Sequence, residues 1–135
     1  MKPKHAVALA AFGLVLAATP AAAHHSFAAE YDANKPVTLR GLVSRIEWVN
    51  PHARFYIDVK DDQGKITNWK FELASPKVLV GQCGWRVNSL TVGDDVSVEG
   101  AMAKDGSATA NARVVTLADG RRLSAGSSGG DVAPR

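Results

Sequence analysis

A chain of 135 residues with a formal charge of only +3 interleaves its acidic and basic side chains throughout. It has no basic stripe of the kind that tracks a phosphate backbone, which argues against nucleic acid as a partner. Its one cysteine, Cys83, excludes an intramolecular disulfide, so stability has to come from packing a single small core.

The first residues, MKPKH, carry two lysines, and residues 6–18, AVALAAFGLVLAA, form an uninterrupted apolar run that ends at TPAAA. This is the layout of a secretory signal peptide, residues 1–23. The run is shorter than the roughly 20 residues of a spanning helix and leads directly into polar sequence. A soluble mature chain, periplasmic or secreted and without a membrane span, is therefore expected. Cleavage after Ala23 makes His24 the first residue, and cleavage one position earlier leaves Ala-His-His. Of 16 basic residues, Lys2 and Lys4 leave with the leader, so 14 face 13 acidic ones in the mature chain.

Residues 24–36 read as an extended N-terminal segment. From Val37 short runs of β-branched and aromatic residues alternate with polar ones, the pattern of an all-β domain. The first run, VTLRGLVSRIEWVN, puts Val37, Leu39 and Val43 on one face and Leu42, Ile46 and Trp48 on the other. The change of parity beside Gly41 predicts a bulge or a sharp bend there. After Asn50-Pro51, ARFYIDVK alternates cleanly, with Phe55, Ile57 and Val59 inward. The turn cluster DDQG predicts a hairpin into ITNWKFEL, which should bury Trp69, Phe71 and Leu73. Ser75 as N-cap and Pro76 in the first turn open a short helix over KVLVGQ, ended by Gly81 or Gly84. In this apolar context the Cys83 thiol reads as a small inert hydrophobe. A fourth strand follows in DDVSVEGAMA and a fifth in TANARVVTLA. Residues 37–123 thus make one domain. The Gly/Ser-rich residues 124–135 read as a disordered tail, having little apolar surface to offset the entropy of ordering.

Five strands, a bent first strand and a short helix between strands 3 and 4 match a small OB-like barrel, the oligonucleotide/oligosaccharide-binding fold. The segments AHHSFAAEYD, RGLVSRIEWVNPHARFYIDV and GDDVSVEGAMAKDGS also resemble a family of small exported bacterial proteins of unknown function with OB-like folds. The resemblance runs from about residue 24 to residue 123. Its most specific marks are HHSF at 24–27 and WVNPH at 48–52. It implies the fold and the address, and no activity.

Three histidines survive processing: His24, His25 and His52. A free α-amine and the imidazole of a first-position histidine chelate one metal ion in a compact ring, and His52, in the loop after the first strand, can add a further imidazole. Copper is the first candidate. Small periplasmic OB barrels that chaperone copper use a similar histidine and tryptophan, echoed here by His52 and Trp48. They also use paired methionines, and only Met102 remains after processing. Alternatively, Arg45, Trp48, Arg54, Tyr56 and Lys70 line a face on which aromatics with cationic neighbours stack a ligand. The sequence carries no GxSxG, HExxH or phosphate-cradling glycine loop, so a non-catalytic role is expected. The reading is an exported binding or accessory module whose partner is an unknown small molecule, a metal ion or an envelope protein. A metal-binding protein using the processed N-terminal histidine and His52 is the alternative.

Overall fold

The computed structural model describes residues 27–126. Residues 1–26, which include the expected signal peptide, His24 and His25, and residues 127–135 lie outside the described residues. What is described is mostly β. A one-turn helix, α1 (Phe27–Glu30), leads into β1 (Tyr31–Glu47), β2 (Arg54–Lys60) and β3 (Ile66–Glu72). Helix α2 (Pro76–Gln82) then precedes β4 (Asp95–Ala103), β5 (Thr109–Thr116) and β6 (Arg122–Ser124). The strands form one sheet in the order β3-β2-β1-β4-β5-β6, every neighbouring pair antiparallel. β3 also pairs with β5 in parallel, Lys70 opposite Thr109, Phe71 opposite Ala110 and Glu72 opposite Asn111. The pairings β1–β2–β3–β5–β4–β1 therefore return to their start.

β1 can take part in both arms of this circuit because it is long and bent. Residues 31–42 pair with β4, and residues 42–47 with β2. The bulge falls at Ser44, between Val43 and Arg45, and not at Gly41 as the parity suggested. Val43 is buried on one side of it and Leu42 is 53% exposed, so Leu42 does not share the face of Ile46 and Trp48. Gly41 serves a different need: a Cβ there would collide with the carbonyl oxygen of Asp58 on β2. Glycine is what lets the two backbones approach so closely.

Period-2 alternation builds the core. Phe55 and Ile57 of β2, Phe71 of β3, Val96 and Val98 of β4 and Val115 of β5 are all essentially inaccessible. The Phe55 and Phe71 rings stack with centroids 5.4 Å apart. Side chains of this size contribute roughly 1.5–3 kcal/mol each when fully buried. Helix α2 starts as the sequence predicts, the Ser75 hydroxyl accepting from the Val78 N–H at 3.3 Å with Pro76 in the first turn. It runs through Gly81 and stops before Gly84, whose φ of 75° ends the right-handed turn. Leu79 anchors it in the core.

The folded body extends beyond both expected limits. β1 begins at Tyr31, inside the segment read as an extension, and tolerates the polar residues 32–35 as a large bulge between the pairs Tyr31–Ala103 and Pro36–Ala101. At the other end a sixth strand, β6, carries the chain past residue 123. Ala125 is fully buried, its N–H donating to the Arg113 carbonyl and its carbonyl accepting from the Ala74 N–H. The buried Trp85 indole donates to the Ser124 carbonyl at 2.6 Å. These are backbone contacts, which a Gly/Ser-rich composition does not reveal.

Candidate ligand-binding cleft

The alternation that sends Phe55, Ile57 and Phe71 inward leaves Arg54, Tyr56, Lys70 and Glu72 on the opposite face of β2 and β3. Register sets Arg54 opposite Glu72 and Tyr56 opposite Lys70. The parallel pairing with β5 then brings Thr109 beside Lys70. The result is a cavity of about 390 Å³ with Arg54, Lys70 and Glu72 on one wall and Asp105, Ser107 and Thr109 on the other. Glu30, Tyr31 and Ala103 complete its lining. Small-molecule sites are usually lined by apolar and aromatic side chains. Here Ala103 is the one aliphatic contributor, so the cleft favours a ligand that hydrogen-bonds or carries charge.

Glu72 is the hub of this wall. Its Oε2 accepts from the Tyr31 hydroxyl at 3.1 Å, and its Oε1 lies 3.1 Å from Nδ1 of His52. Burial, followed by the charge of Glu72, pushes the Tyr31 phenol well above its ordinary value, so it stays protonated and remains a donor. One carboxylate thereby joins β3, the start of β1 and the β1–β2 connection. The β4–β5 turn is fastened to the same end of the chain, Lys104 donating through its N–H to the Glu30 carbonyl and through Nζ to the Ala28 carbonyl.

Beside the cleft, Glu47 gathers a second cluster. Arg45 pairs with its Oε1, while Arg54 Nη1 and the Tyr56 hydroxyl each reach Oε2 at 3.4 Å. The Arg45 guanidinium lies 4.9 Å from the Tyr56 ring centroid, within cation–π range. Arg54 belongs to both groups, lining the cleft and pairing with Glu47.

Three of the four residues expected to bind a ligand, Arg45, Arg54 and Tyr56, are thus brought together, but Trp48 is not. Its ring packs against the core, 6.4 Å from the ring of Trp85. His52 stands in the β1–β2 connection, as expected, and is partly buried against Glu72. The other two expected metal ligands, His24 and His25, lie outside the described residues. Among the described residues no group of three or more His, Cys, Asp or Glu side chains is placed to hold a metal ion. Burial pushes the Cys83 thiol up, away from the reactive thiolate.

Tyr31, Glu72, Asp105, Ser107 and Thr109 were not among the predicted site residues. Glu72 was within reach of the sequence, since it sits one position from Phe71 on the alternating strand and must face away from the core. Thr109 was not, because only the parallel β3–β5 pairing places it there.

Fold and cleft together define a mostly β protein with a hydrophilic cavity of small-molecule size. The chain belongs to the Family of unknown function (DUF6152), whose model matches residues 10–112. The match takes in β1 to β4 and half of β5 and stops before β6. No curated protein matches the chain, and no solved structure does. Among the described residues no helix is long and apolar enough to cross a membrane.

Proposed function

We propose that the protein is an exported, non-catalytic binding module on an OB-like barrel, and that the cleft between the β2–β3 face and the β4–β5 turn receives a small polar ligand. The circuit of pairings supports the barrel, as does the helix between β3 and β4. OB barrels bind ligands on the strand 2–3 face and through the loops joining strands 1–2 and 4–5. The observation that carries the reading is that one cavity joins that face to that turn, with the β1–β2 histidine held against its wall. Glu47 and Glu72 are each engaged by neighbouring donors, as suits carboxylates that shape a site. Export rests on residues 1–23 of the sequence.

Screening a library of small polar compounds by amide chemical-shift mapping should yield hits that move Lys70, Glu72 and Thr109. A library whose hits all cluster elsewhere would remove the cleft from the reading. Cell fractionation with intact mass should find a periplasmic form lacking residues 1–23 or 1–22, and an unprocessed cytoplasmic chain would contradict export.

One observation favours the metal-binding alternative. Metal-ligating histidines commonly give one ring nitrogen to a carboxylate and the other to the metal, and Glu72 holds Nδ1 of His52 in that way. The same Glu72 receives the Tyr31 hydroxyl, so Tyr31, six positions after His25 in sequence, and His52 meet on one carboxylate. Titrating Cu(II) into processed protein should give stoichiometric binding that His52→Ala abolishes. Unchanged affinity in that variant would end the alternative.

A further inference from the structure

We infer that the cleft is built for a zwitterion, a small molecule with a carboxylate and an ammonium group a few ångströms apart, of which a free α-amino acid is the simplest. The inference rests on the binding-module reading above and specifies its ligand class. Lys70 is the key residue. Among the described residues none pairs with its ammonium within ion-pair distance, although it lies near enough to Asp105 for each charge to feel the other. Arg54, the other cation on the wall, already faces Glu47 at 3.4 Å. Lys70 is a partly buried residue lining the cavity, and a ligand carboxylate beside the Thr109 hydroxyl would give its ammonium a close counter-charge.

The opposite charge is provided as well. Asp105, in the β4–β5 turn, lines the same cavity and supplies a carboxylate there. Bonds from Ser107 hold the Asp105 carboxyl below the usual range, so it is ionised wherever the protein is folded near neutral pH. A carboxylate has about four lone-pair sites, so the bonds from Ser107 leave room for a ligand N–H. A bare anion would meet Asp105, and a bare cation would meet Lys70. A neutral sugar would leave Lys70 without a partner. A ligand bearing both charges matches both walls, and a cavity of about 390 Å³ accommodates a molecule of amino-acid size.

The test uses the processed protein and five probes: L-alanine, L-glutamine, N-acetyl-L-alanine, L-alanine methyl ester and glucose. Calorimetry gives affinity, and amide shifts at Lys70, Ser107 and Thr109 give location. Both free amino acids should bind in the cleft, and each blocked alanine should bind at least tenfold more weakly. Lys70→Met should lose at least tenfold in affinity while keeping the wild-type melting temperature, and Lys70→Arg should retain most of it. Equal binding of the blocked forms, or binding of none of the five, would overturn the zwitterion. Glucose binding in the cleft without the amino acids would overturn it too, while leaving the binding module standing. The module itself falls only if the broader polar library also misses the cleft.

Discussion

At the scale of single residues, Tyr31 and Glu72 form the bond that most directly couples the N-terminal end of β1 to the cleft wall. The phenol titrates above its unfolded value of 10.0, so the folded state keeps a proton that the unfolded state has lost. Its contribution is full below about pH 10 and declines as pH rises from there through the folded value. Urea midpoints between pH 8 and pH 11 should therefore fall in the wild type and fall less in Tyr31→Phe. At pH 8 that variant should be less stable by about 1.5–3 kcal/mol, the worth of a bond to a charged acceptor. Parallel profiles would show that the bond does not form. Gly41 offers a second residue-scale test. A methyl group at this position meets the Asp58 carbonyl, so Gly41→Ala should cost about 2–3 kcal/mol, and a neutral effect would mean that β1 and β2 are farther apart than described.

At the scale of elements, α2 was legible in the sequence down to its first residue because its signals are local: a serine cap, a first-turn proline and an apolar anchor. Ser75→Ala should lower stability by about 1 kcal/mol in thermal unfolding. Gly81→Ala, which meets nothing within 4 Å, should raise it by about 0.5 kcal/mol. β2, β3 and β4 were equally legible, since one buried face imposes alternation. β6 was not, because its role is to supply backbone acceptors to Trp85 and Ala74 rather than apolar side chains. A chain ending at residue 126 should accordingly melt several degrees above one ending at residue 123. Equal melting would return residues 124–126 to the tail.

At the scale of the whole molecule, the closed circuit of strands and the proposed ligand site both depend on the seam between β3 and β5. Alternation decides which face of a strand is wet, and so Arg54, Tyr56 and Lys70 could be grouped from the sequence. It does not decide which strand lies beside which, and so the second wall of the cleft, Asp105, Ser107 and Thr109, could not. Trp48 is set apart from that group for a related reason: it follows the Ser44 bulge and packs beside Trp85, and parity cannot show how far a bulge rotates the chain. The seam is only three residue pairs long, yet it closes the circuit of strands and sets Lys70 beside Thr109. Without it the sheet would have open edges, and the two walls would have no reason to face each other.

Nuclear magnetic resonance on the processed protein probes the seam directly, through cross-strand contacts between residues 70–72 and 109–111 and the exchange rate of the Lys70 amide, which donates to the Ala108 carbonyl at 3.0 Å. Parallel-strand contacts across Phe71 and Ala110 are predicted, together with a Lys70 amide protected as strongly as the amides of β2. Absent contacts and an unprotected Lys70 amide would mean an open sheet with no cleft, contradicting both the proposed barrel and the proposed ligand site.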